Sequence, residues 1–179
     1  MASDPVTRYG LTPVTASAAD LLSAAQPPSP APFISVDDTP TPDTALAHRI
    51  RTYAQSRLPE STYNHSLRVY HYGLAMKRHL FPFWNFTDET YYLACLLHDI
   101  GTTEENLKST KLSFEFQGAL LALDVLQEAS PASSTDVAPR DQAESVAEAI
   151  IRHQDLCDKG KITAVGQLLQ LATIFGRAG

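Results

Sequence analysis

One stretch limits what this chain can fold into more than any other: ACLLHDIG at residues 94–101, where an unbroken apolar run ends in a histidine and a carboxylate. A helix that is apolar on most faces belongs at the centre of a fold. TDETYYLACLLHD reads as such a helix, opened by Thr87 or Asp88 and closed by Gly101 as a stop signal. Burying His98 and Asp99 there without partners costs several kcal/mol, about the penalty for unpaired polar or charged groups. A helix C-terminus also presents unsatisfied carbonyls and a partial negative charge, so the compensating species is expected to be a cation.

The rest of the chain supplies helices to surround that centre. Asp43 is the expected N-cap of a first helix with Leu46, Ile50 and Tyr53 on one face, closed by Pro59. A second, about 61–80, sets His65, Val69, Tyr72 and Met76 along an inward stripe. After the central third helix, Ser113 opens a fourth, SFEFQGALLALDVLQEA. A fifth, 140–154, aligns Val146, Ile150 and His153, and a sixth covers 162–175, ITAVGQLLQLATIF. SPASSTDVAP reads as a surface loop. No alternating strand pattern and no internal repeat stands out, so the class is all-α. Residues 1–42 hold 8 of the 12 prolines and read as a Pro-rich extension with one helical turn near SAADLL. Leu21, Leu22, Phe33, Ile34 and Val36 would let it lie along the body, which the sequence leaves open. The domain proper is expected over 43–179.

Charge and composition narrow the partners. A net charge of −6 and a pI near 5.4 disfavour nucleic acid and anionic membranes. The N-terminus lacks a basic segment followed by an apolar one, and no run of about 18 apolar residues is present. Cys95 and Cys157 are too few for a disulfide framework, so a reducing, cytoplasmic setting is expected. A small neutral substrate or a metal cation meets no electrostatic barrier; a homo-oligomer stays open.

The chemistry gathers at His98 and Asp99. With a second imidazole, His65, from another buried helix, they make two nitrogen donors and one carboxylate, a three-ligand set for Zn²⁺ or Fe²⁺ with positions left for water. The dipeptide alone is weak, since 6 His and 12 Asp in 179 residues yield about 0.4 such pairs by chance. Taken singly, His98 as a hydrogen-bonded core histidine and Asp99 as a loop cap are the plainer readings. The upstream His65 and the following Ile-Gly favour the metal.

YNHSLRVY, LACLLHDIGTTEENLKSTKLSFEFQGA, AEAIIRHQD and ITAVGQLLQLATIF together resemble the fungal cyanamide hydratases, a branch of the HD-domain superfamily. The resemblance runs from about Tyr9 to Phe175 and implies an HD-domain-like helical bundle around a metal site, a divalent ion with Zn²⁺ ahead of Fe²⁺, and addition of water to cyanamide to give urea. It matches His65 to the first metal-binding histidine, His98 and Asp99 to the name-giving pair, and His153 to a histidine facing the same pocket. One position departs: where the family pattern reads LATIFDN with a closing aspartate ligand, this chain reads LATIFGRAG, with Gly176 in that place. Relatives also continue for further helices, so the domain is expected to be incomplete at its C-terminus.

These expectations assign roles. Asp99 would ligate the ion and orient or deprotonate a water, and His153 would hand a proton to the developing imidate nitrogen, a task suited to a pKa near 6.5. Asn64, Thr102 and Thr103 could hydrogen-bond a small polar substrate, although such residues are commonly turn and cap formers. A phosphohydrolase is the second reading, disfavoured by the neutral and acidic GTTEEN after the pair, with Arg68, Lys108 and Lys111 as its cationic groups. The third is a degenerate non-catalytic paralogue, in which Glu104, Glu105 and Glu115 are only a solvated face.

Overall fold

A computed structural model of the chain describes residues 4–25, 32–128 and 136–176. In chain order they form α1 (Pro5–Arg8), β1 (Pro13–Thr15), α2 (Ala18–Ala24), α3 (Ala45–Arg57), α4 (Glu60–Leu80) and α5 (Asp88–Leu97). There follow α6 (Glu104–Ser109), α7 (Phe114–Gln127), α8 (Arg140–Arg152), β2 (Lys161–Thr163) and α9 (Ala164–Gly176). Single 3₁₀ turns lie at Val36–Asp38 and Ile100–Thr102. Among these residues no helix is long and apolar enough to cross a membrane.

The apolar run does what its composition demands. Every residue from Thr90 to Leu97 is buried, and α3, α4, α7, α8 and α9 all pack on α5. Two glycines allow the closest approaches. At Gly73 of α4, a Cβ would lie 1.7 Å from the Tyr91 hydroxyl, which donates to the Val69 carbonyl at 2.9 Å and so locks α4 onto α5. At Gly101, a Cβ would lie 2.1 Å from the Phe114 carbonyl oxygen, so the first turn of α7 sits directly against the turn that follows α5. These contacts fix how α4, α5 and α7 converge, and hence where His65, His98 and Asp99 meet.

Several sequence expectations change. The cap of α3 is Thr44, whose hydroxyl accepts from the Ala47 amide at 3.0 Å, while Asp43 pairs with His48. Tyr72, assigned inward, is exposed, and the buried face of α4 runs through Tyr63, Ser66, Val69, Tyr70, Gly73 and Leu74. Gly101 is no left-handed stop: α5 ends at His98 with helical backbone angles, and Gly101 lies inside a 3₁₀ turn without a positive φ. Glu104–Ser109, unassigned from sequence, is α6, capped by Thr103.

A small sheet was also missed. β1 and β2 pair antiparallel with Val14 opposite Ile162, so α9 starts at Ala164 rather than 162. Three-residue strands that are distant in the chain carry no alternation long enough to read. The N-terminal segment lies on the body: Tyr9, Ala16 and Ser17 are buried, and Leu21 on α2 packs against the core. Leu22, Phe33 and Val36 remain exposed. AAQPPSP from residue 26 onward and most of the SPASSTDVAP loop lie outside the described residues.

Replacing Gly101 by alanine should force the Phe114 carbonyl away from the 3₁₀ turn and lower stability by about 3 kcal/mol, at the upper end for overpacking. Chemical denaturation measures this; a loss under about 0.5 kcal/mol would show that α7 steps back freely.

Candidate metal centre

Four side chains converge from three helix regions. His65 lies in the second turn of α4, His98 is the C-cap of α5 with Asp99 beside it, and His153 is the C-cap of α8. Two of the rings are held in the same way. Nδ1 of His98 donates to the Cys95 carbonyl at 2.7 Å, and Nδ1 of His153 donates to the Ile150 carbonyl at 2.6 Å. A carbonyl only accepts, so each Nδ1 carries a proton, and a ring that is neutral then turns an Nε2 lone pair toward the cluster. Such bonds orient metal-ligating histidines.

The acceptor and donor atoms of the cluster lie close together. His98 Nε2 lies 3.2 Å from Asp99 Oδ2, His65 Nε2 4.0 Å from the same oxygen, and His153 Nε2 3.9 Å from Oδ1. Among the described residues, the buried Nε2 atoms of His98 and His153 have no hydrogen-bond partner. In the neutral rings, then, lone pairs face a carboxylate, an arrangement that only a proton or a cation between them stabilises. One donor atom each from His65, His98 and Asp99 lies within 4.8 Å of the others. Two ligands about 2.1 Å from one ion are separated by at most about 4.2 Å, so a small inward movement closes the set. The C-termini of α5 and α8 both end here and add their partial negative charge. The residues therefore fit a divalent cation.

Ionisation agrees with that chemistry. Burial would push the Asp99 carboxyl up, but the adjoining His98, and after it His153 and His65, outweigh that burial and hold the group at about 2. Burial, and next the neighbouring His98, push His153 down to about 4, so its ring is neutral at pH 7. Edge-on contacts to His98 and Phe114, at centroid distances of 5.2 and 5.7 Å, fix its plane. Cys95, three residues before His98, has a buried thiol whose pKa is raised by that burial; its carbonyl, not its sulfur, serves the site.

The expected substrate contacts fall elsewhere. Asn64 is exposed on α4. The Thr102 hydroxyl donates to the Asp99 carbonyl at 2.7 Å, and the Thr103 hydroxyl accepts from the Asn106 amide as the cap of α6. Both hydroxyls thus serve the turn itself. Sequence reading overlooked Asn106, whose side-chain amide donates to the Ile100 carbonyl at 2.7 Å and pins the backbone just past Asp99. The available signal was its place three residues after a capping threonine. It also overlooked Phe114, the ring against His153.

A family model described as HD domain matches residues 62–175. Two proteins of Saccharomyces cerevisiae (strain ATCC 204508 / S288c), Cyanamide hydratase DDI2 and Cyanamide hydratase DDI3, are each 37% identical over 174 residues, covering 97% of this chain and 72% of the relative.

The depressed His153 pKa sets the acid stability of the metal-free protein. Between pH 6.5 and about 4 the unfolded chain binds a proton at this histidine that the folded chain does not, so stability falls as pH drops through that window. The shift corresponds to a loss on the order of 3 kcal/mol. Below pH 4, protonation of Asp99 in the unfolded state removes more, until its folded value near 2 is passed. Urea titrations across pH 7 to 4 measure the loss, and His153→Gln should flatten the upper window.

Proposed function

The chain belongs to the HD-domain family, and on that premise we propose that it is a metal-dependent hydratase that adds water to cyanamide to give urea. The names of the yeast relatives support the substrate. One observation carries the chemistry: buried Nε2 lone pairs of His98 and His153 directed at a single carboxylate, with each ring proton already committed to a helix carbonyl.

His65, His98 and Asp99 would hold the ion, Zn²⁺ first and Fe²⁺ second, because imidazole and carboxylate donors suit both. Such an ion, when bound, supplies Lewis acidity and lowers the pKa of a coordinated water toward about 7. The protein's own groups then move protons. Asp99, ionised at neutral pH, accepts a hydrogen bond from the attacking water on Oδ1, the oxygen that faces His153. The neutral Nε2 of His153 takes the water proton as the oxygen bonds to the nitrile carbon and one carbon–nitrogen π bond opens. Returning that proton to the substrate nitrogen is strongly favoured, because an imidazolium of depressed pKa is a good acid. The product isourea rearranges to urea. His153 therefore acts as acceptor first and donor second, where the sequence assigned it only the donation.

A neutral substrate also matches the charges. The cations that a phosphate ester would require point outward: Arg68 and Lys111 are exposed, and Lys108 pairs with Glu104. Gly176 ends α9, and we assign the aspartate's position there to water.

Purified protein should form urea from cyanamide in proportion to its bound Zn or Fe, with both measured on one sample. Release of phosphate from nucleotides without urea from cyanamide would instead make it a phosphohydrolase, and neither metal nor turnover would leave a non-catalytic module. His98→Ala should lose the ion and turnover together. Gly176→Asp should raise metal affinity about tenfold, within the range by which single groups at metal sites alter binding; unchanged affinity would mean that the position is filled otherwise.

A further inference from the structure

His153 needs more than its own helix to stay in place. It is the first residue past α8, where the last carbonyls lack helical partners and the chain can fray. Its ring is tied to the Ile150 carbonyl, and its backbone amide to the same oxygen at 3.4 Å. Those bonds only transmit the position of the helix end. The turn beyond it has local bonds, from the Asp155 amide to the Arg152 carbonyl at 3.0 Å and from Arg152 Nε to the Asp155 carboxylate at 2.9 Å, and α9 ties it to the body: the Gln170 side chain, 3% exposed, donates from Nε2 to the Arg152 carbonyl at 2.6 Å and to the Asp155 carbonyl at 2.9 Å. The two carbonyls bracket His153 in the chain.

We propose that Gln170 is a positioning residue: its buried amide clamps the C-terminal turn of α8 so that His153 presents Nε2 to Asp99. A side chain with a single hydrogen-bond acceptor cannot replace it, because both bonds need protons on the glutamine side. The same reasoning admits arginine, whose fork can donate to two carbonyls and whose charge suits a helix C-terminus. Displacement of a catalytic group by about 1 Å can cost on the order of a hundredfold in rate. The kinetic part of this inference rests on the hydratase reading; the placement of the ring does not.

The test uses Gln170→Met, which keeps length and apolar bulk but removes both donors, and Gln170→Arg, which restores them. In metal-free protein, long-range proton–nitrogen NMR should show a single Nδ1–H tautomer for His153 in wild type, tautomer averaging in Gln170→Met, and the single tautomer again in Gln170→Arg. Turnover of cyanamide should follow, with kcat down about ten- to a hundredfold in Gln170→Met, KM little changed, and most of kcat recovered in Gln170→Arg. If Gln170→Met does not fold, Gln170→Asn, one methylene short, should show the same ring averaging to a smaller degree. An unaltered His153 tautomer in the folded variant would overturn the proposal, as would arginine restoring thermal stability but not the ring. Absence of cyanamide turnover in wild type would refute the hydratase reading alone, and the NMR result would still decide the role of Gln170.

Discussion

A hydrogen bond from an imidazole Nδ1 to the carbonyl three residues back, made once at the end of α5 and again at the end of α8, is the constraint from which the site follows. It caps a helix end, where the last carbonyls are short of helical partners. It also decides the tautomer, and with it the atom that faces inward. A histidine elsewhere on the same helix could occupy similar space without this directionality. The two C-caps therefore convert an ordinary requirement of helix termination into a pair of lone pairs aimed at Asp99.

The convergence depends on how near the backbones can come. Gly73 admits the Tyr91 hydroxyl to α4, and Gly101 admits the Phe114 carbonyl to the turn after His-Asp. Asn106 and Thr102 then saturate the carbonyls of Ile100 and Asp99, so the turn is rigid on the side away from the cluster. Phe114 links the two roles, its carbonyl against Gly101 and its ring against His153. The site is thus built from the core outward rather than placed on a loop, consistent with sites needing rigid support for metal geometry.

That division explains what the sequence revealed. The all-α class, the centrality of 88–97 and the convergence of His65, His98 and Asp99 were legible because each rests on apolar periodicity or on the cost of burying charge. The small sheet, α6 and the true cap of α3 were not, because they rest on a few hydrogen bonds between residues of ordinary type. Gly101 misled for a related reason: a glycine after a helix suggests a left-handed cap, but its missing side chain is used here for space. Thr102 and Thr103 misled in the opposite direction, since hydroxyls near a reactive pair invite a substrate role while the backbone of the turn claims them first. Gln170 carries no motif at all and Asn106 only its place after a capping threonine; the carbonyls they meet give them meaning.

Proton and metal compete for the same lone pairs, and the surroundings favour the metal. At pH 7 the His153 ring is already unprotonated and Asp99 already ionised, so neither must first release a proton to make room for a cation. The same surroundings make the metal-free cluster costly, because among the described residues the buried Nε2 atoms of His98 and His153 have no hydrogen-bond partner. A cation relieves that cost only in the folded state, and ligand linkage then returns its binding energy as stability. The chemistry and the fold are consequently not independent: the features that leave the His-Asp cluster unsatisfied in the bare polypeptide are the ones that would make it bind an ion tightly.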